Sequence, residues 1–176
     1  MIRIKRVKRI AVAVKDLDQA VKNWQRLFGV QTFQVGQEPE DKYHWAAFEI
    51  GNTRGDGEMT MEFLAPLNDP EGETLIGKFV KNRGEGLYMI TLETEGTAEE
   101  VAREIKQTGL TPSWGELTKQ WIQGMESVGI ESWTEHYISP KDANGVLVTL
   151  ASVKYLPPKL VRTASGKTFQ KKKAST

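Results

Sequence analysis

The chain has 176 residues and no cysteine. It therefore has no thiolate nucleophile, iron–sulfur ligand or thiolate zinc site, and only His44 and His136 offer an imidazole. It also lacks GxGxxG, P-loop, HExxH and GxSxG patterns, which leaves nucleotide cofactors and serine hydrolysis unsupported. What remains is electrostatic and acid–base chemistry from an arginine and carboxylates in strand-like stretches. Strand alternation groups Arg9 with Ala11 and Ala13, Glu49 with Trp45 and Ala47, and Glu62 with Thr60 and Leu64. It also groups Glu93 with Met89 and Thr91, Glu135 with Trp133 and Tyr137, and Thr149 with Leu147. An arginine fork suits a carboxylate, phosphate or enolate oxygen. A neighbouring carboxylate, Glu62 or Glu49, can then act as general base at the carbon beside a carbonyl. Trp45 and Trp133 offer faces on which a planar ligand can stack.

Two stretches with the same grammar must position these groups. RIAVAVKDLDQAVKNWQRLFGV alternates Ile10, Val12 and Val14, with Asp16 as N-cap. Apolar positions Ala20, Val21, Trp24, Leu27 and Phe28 follow at helical spacing, with a stop at Gly29. YMITLETEGTAEEVAREIKQTGL alternates Ile90 and Leu92, then gives a capping box at Thr97 and Glu100 and a stop at Gly109. Strand-like YHWAAFEIG and MTMEFLAPL follow the first, and EHYISPKD and GVLVTLASV the second. The pattern is βαβββ twice, two similar modules packed together. A short helix carrying Leu75, Ile76, Phe79 and Val80 lies between them. The stretch 111–133, with Trp114, Trp121 and Trp133, is expected to be a lid or an oligomer contact. The expected units are residues 1–84, 85–156 and a basic, flexible tail at 157–176.

This arrangement resembles the vicinal oxygen chelate (glyoxalase and bleomycin-resistance) superfamily, and within it the methylmalonyl-CoA epimerase-like proteins. AVAVKDLDQAVKNW, PEDKYHWAAFEIGN, MEFLAPLNDP, KFVKNRGEGLYMITLE and ISPKDANGVLVTL carry the likeness. The resemblance implies an α+β fold whose strands form a cupped mixed sheet, with a divalent metal in its hollow polarising a substrate carbonyl. It also places the four metal ligands, which fall here on Arg9, Glu62, Met89 and Thr149. Arginine cannot ligate, and a thioether or hydroxyl is a poor ligand for a hard cation. The two histidines fall on the parity of the helix-covered faces. The expectation is thus no cofactor and a lost metal site, the open alternative being a metal recruited by Glu49, Glu62 and Glu93 with water. Arg9 and Glu62 become an electrophile–base pair or a buried salt bridge that replaces the metal as a staple. Trp45, Met89, Trp133, Tyr137 and Thr149 become the ligand-binding lining. Glu40, in the PEDKY loop, matches a region from which the resemblance implies a second acid–base carboxylate, and an exposed loop glutamate is the other reading.

Composition bounds the setting. Hydrophobic residues are 39% and charged residues 27%, as in ordinary globular proteins. No apolar run approaches the roughly 20 residues of a membrane helix, and MIRIKRVKRI lacks the apolar core of a signal peptide. A cytoplasmic homodimer is expected, with a small carbonyl or acid compound as ligand and no membrane or nucleic-acid partner. The tail from Pro157 carries six basic residues and no acid, whereas the whole chain nets +1, so the remainder is acidic. The expected function is metal-independent enolisation chemistry on a small carbonyl or acyl compound, by an isomerase, epimerase or lyase. The alternatives are a non-catalytic binding protein and a metal-dependent methylmalonyl-CoA epimerase-like enzyme.

Overall fold

The computed structural model describes residues 1–32, 34–38, 42–50, 59–116 and 129–157, with Glu49 and Glu116 described by backbone alone. Glu40, Trp121 and the tail beyond residue 157 lie outside the described residues.

Alternating residues make β1 (Ile4–Ala13), and the chain then turns into α1 (Leu17–Phe28). Asp16 caps that helix by accepting from the Gln19 N–H at 2.9 Å, and Gly29 ends it at φ +66°, where a side chain would be strained. Strands β2 (Gln34–Glu38), β3 (Tyr43–Ile50) and β4 (Met59–Pro66) follow, then α2 (Leu75–Arg83). The second pass repeats the order with β5 (Gly86–Thr94), α3 (Ala98–Gln107), β6 (Trp114–Glu116), β7 (Ile130–Ile138) and β8 (Leu147–Tyr155). The expected capping box starts α3: Thr97 accepts from the Glu100 N–H, and Glu100 accepts from the Thr97 N–H.

All eight strands form one mixed sheet in the order β2-β3-β4-β1-β5-β8-β7-β6. Each half has the same order, and the halves join where β1 runs antiparallel to β5. This is the expected α+β architecture of two βαβββ modules around a curled sheet. The second strand of each module, β2 and β6, is short and lies at an edge, which weakens its sequence signal. Both edges use a glycine for close approach. A Cβ on Gly36 would stand 2.5 Å from the Trp45 ring, and one on Gly115 as close to the Tyr137 ring.

The convex face is covered by α1 over Ala46, Phe48, Met61 and Phe63, and by α3 over Leu150. The expected core position of Trp24 is correct, since its ring meets Phe28, Phe48 and Phe63. On the concave face, Ile76, Phe79 and Val80 of α2 join a buried cluster with Ala11, Trp45, Met89 and Trp133. Trp133 lies within β7, not in a lid loop, and Trp114 lies on β6 against His136. The lid expectation for residues 117–128 lies outside the described residues. Among the described residues, no helix is long and apolar enough to cross a membrane.

Candidate functional site

Arg9 sits on β1 at the seam between the halves, aligned with Thr60 of β4 and Thr91 of β5. It is 3% exposed, and so deep a cation needs compensation. Its Nη2 donates to Glu135 Oε1 at 2.6 Å, and its Nη1 lies 3.7 Å from Glu62 Oε2. Its Nε donates to Thr91 Oγ1 at 3.2 Å, and the Thr149 hydroxyl donates to that same oxygen at 2.7 Å. The Trp133 indole N–H donates to Glu135 Oε1 at 2.8 Å, and its ring lies under the guanidinium, 5.6 Å from Cζ to centroid. Burial pulls the Arg9 pKa down, but Glu135 and then Glu62 outweigh it, so the value is raised and the cation is permanent.

Arg9 and Glu62 do come together, but Glu135 is the nearer carboxylate and is held by two short donors. Strand parity places Glu135 on this face, but it is not one of the four positions at which the resemblance implies metal ligands. Met89 reaches Arg9 only through its sulfur, 4.0 Å from Nη2. Trp45 is buried against Gly36, and Tyr137 lies over Gly115. Glu49 of β3 aligns with Thr60 of β4. Glu93 does not converge with Glu62. Lys5, Arg6 and the Tyr155 hydroxyl all bind it at 2.7–3.2 Å. Burial pushes the Glu93 carboxyl up, but the Arg6 and Tyr155 bonds overcome this and leave its pKa lowered. His136 lies on the α3 face as expected, its ring nitrogens 2.8 Å from the Ala98 carbonyl and 3.1 Å from that of Ser113.

The family model for the glyoxalase/bleomycin resistance protein/dioxygenase superfamily matches residues 8–136. The chain belongs to that superfamily. It is 27% identical to the mitochondrial methylmalonyl-CoA epimerase of Mus musculus over 148 residues, covering 82% of this chain and 71% of the mouse protein. It is also 27% identical to the ethylmalonyl-CoA/methylmalonyl-CoA epimerase of Cereibacter sphaeroides, covering 85% of this chain and 99% of that one. Among solved structures, a Streptomyces coelicolor methylmalonyl-CoA epimerase in complex with 2-nitronate-propionyl-CoA superposes at TM-score 0.68, 23% identity, covering 85% of this chain and 97% of that one. A methylmalonyl-CoA epimerase in complex with methylmalonyl-CoA and NH4+ also gives 0.68 at 23% identity, covering 88% and 99%. The structural likeness establishes the fold.

These relatives correct one expectation. The sequence leads to an expectation of no cofactor, but the relatives are methylmalonyl-CoA epimerases, the class for which the resemblance implies a bound divalent metal. One solved structure carries a cation with its substrate. The four inherited positions do not themselves fit such an ion. The guanidinium of Arg9 stands at one, Glu62 faces it, Met89 offers a thioether, and the Thr149 hydroxyl is spent on Thr91. Among the described residues, no three His, Cys, Asp or Glu side chains gather as a metal site.

Proposed function

We propose that this chain is an epimerase-type isomerase of short acyl thioesters, moving a proton at the carbon beside the thioester carbonyl. The observation that carries this reading is the match to a curated epimerase over 99% of that protein's length. The concave face supplies suitable groups. Arg9 provides a fixed cation for an oxygen that gains charge as the proton leaves. Glu135, committed to Arg9 and the Trp133 indole, sets the guanidinium's position. Glu62, met by Arg9 at the longer 3.7 Å, is the carboxylate better suited to take the proton, with Glu49 the other candidate. Trp45, Met89, Trp133, Tyr137 and Thr149 form the wall around the ligand. A cytoplasmic homodimer belongs to the same reading, its assembly measurable by light scattering.

Incubating the purified chain with methylmalonyl-CoA in D2O, with and without added cobalt, should place one deuterium at C2, read by mass spectrometry. No exchange under either condition would overturn the reading. A binding-only role is the second reading, favoured by the mutual pairing of Arg9, Glu62 and Glu135. Its signature is saturable acyl-CoA binding without exchange.

A further inference from the structure

Thr91 of β5 and Thr149 of β8 stand in register, and both residues are 0% exposed. Their hydroxyls lie 2.7 Å apart with Thr149 donating, and Arg9 Nε donates to the same Thr91 oxygen at 3.2 Å. A hydroxyl oxygen has two lone pairs and one proton. Both lone pairs of Thr91 are therefore taken, and its own O–H holds the one tetrahedral direction left. Among the described residues nothing accepts that proton. A buried donor left without an acceptor is costly, and no solvent reaches this one to answer it.

The bonds to Thr91 also set how strongly it can donate. A hydroxyl whose oxygen receives bonds from a cation and from a second hydroxyl is polarised, and its proton is offered more strongly. Arg9 turns Nη2 to Glu135, Nη1 to Glu62 and Nε to Thr91, which puts Thr91 in line to pass its charge on to a ligand. Met89, the next side chain on this face of β5, is an unbranched thioether that can shift to admit a ligand oxygen.

We propose that Thr91 is a catalytic residue of this site, its O–H donating to the thioester oxygen as that oxygen gains charge, with Arg9 polarising it from behind. This rests on the acyl-thioester reading above and adds a donor to it. The hydroxyl keeps its proton; the proton that moves is the one on the carbon.

Deuterium exchange of methylmalonyl-CoA, followed over a series of ester concentrations with or without cobalt as the wild type requires, reads this role. Thr91→Val keeps the shape without the O–H and should lower kcat by about 10²–10³-fold, with KM within about threefold. Thr91→Ser restores the hydroxyl and should recover most of the rate. Thr149→Val removes one bond to Thr91 but leaves its O–H, so it should cost about tenfold less than Thr91→Val. If Thr91→Val fails to fold by circular dichroism, Thr91→Cys supplies the comparison, because its S–H is a weak donor. The proposal is overturned if the variant lacking the hydroxyl loses less than about tenfold, or if Thr91→Ser stays as slow. A loss in KM alone, as for a residue that only shapes the fold, or an equal loss in Thr149→Val also overturns it. In each of those cases wild-type exchange stands, and with it the acyl-thioester reading. No exchange by the wild type removes both.

Discussion

At Arg9, the physical question is what happens to its carboxylates when the cation is removed. Arg9→Met keeps much of the volume but strands Glu135 and Glu62, both 2% exposed or less. The expected loss is about 3–5 kcal/mol in urea unfolding. Neutralising one partner should restore part of it. Because Glu135 lies at 2.6 Å and Glu62 at 3.7 Å, Arg9→Met with Glu135→Gln should recover more than Arg9→Met with Glu62→Gln. The reverse order would show that Glu62 is the dominant partner. Alternation put Arg9 and Glu62 on the same face, and their meeting was legible from the family resemblance, which implies that the two positions converge on one metal. Alternation hid the burial of Lys8, which is 5% exposed, because the register slip between Val7 and Arg9 breaks the two-residue period on which such counting depends. The preference of Arg9 for Glu135 was also hidden, since it depends on how β7 and β1 curl toward each other across β8 and β5.

Among the elements, α2 is the one that closes the concave face, and it is anchored at its start by a single carboxylate. Asp69 accepts from the Thr74 hydroxyl at 2.5 Å and from the N–H groups of Glu73 and Thr74 at 2.9 and 3.0 Å. Thr74 in turn caps the helix at Gly77. Gly77 has to be a glycine, because a Cβ there would run into Asp69. The Thr74 side-chain bond, followed by the Glu73 backbone bond, lowers the Asp69 pKa from 3.8 to about 2. A lowered folded-state pKa means stability that is complete above pH 3.8 and lost as the pH falls toward 2. The gap in melting temperature between wild type and Asp69→Asn should therefore shrink between pH 4 and pH 2. A gap independent of pH would show that Asp69 acts without its charge. The helix itself was legible from Leu75, Ile76, Phe79 and Val80, but its anchor was not, because a turn carboxylate looks like any surface acid until the loop is folded. Helices α1 and α3 were legible in full because their caps and glycine stops are local signals, whereas β2 and β6 are defined by pairing with a neighbour.

Across the whole molecule, repetition of βαβββ raises the question of whether the expected units, 1–84 and 85–156, unfold separately. The seam argues against it. Residues along β1 pair with β5 by backbone hydrogen bonds, and three buried or half-buried ion pairs cross between the halves: Arg9–Glu135, Arg6–Glu93 and Lys5–Glu93. Opening one half would leave Glu93 or Glu135 without its cation in apolar surroundings, at a cost of several kcal/mol, a large fraction of a typical domain's stability. The Thr94 hydroxyl, donating to the Ala151 carbonyl, ties β5 further into its own half, so the seam strand cannot leave without disrupting both sides. Unfolding should therefore be a single transition. Trp24 reports on the first half and Trp133 on the second. Of the five tryptophans, Trp24 and Trp45 belong to residues 1–84 and Trp114, Trp121 and Trp133 to residues 85–156. A variant with Phe at 114, 121 and 133 therefore leaves a fluorescence signal from the first half alone, and one with Phe at 24 and 45 a signal from the second. The expected outcome is that, within each variant, fluorescence and far-ultraviolet circular dichroism give the same urea midpoint. A fluorescence midpoint that departs from the dichroism midpoint, in opposite directions for the two variants, would show that the halves unfold as independent units and that the charged seam does not bind them into one.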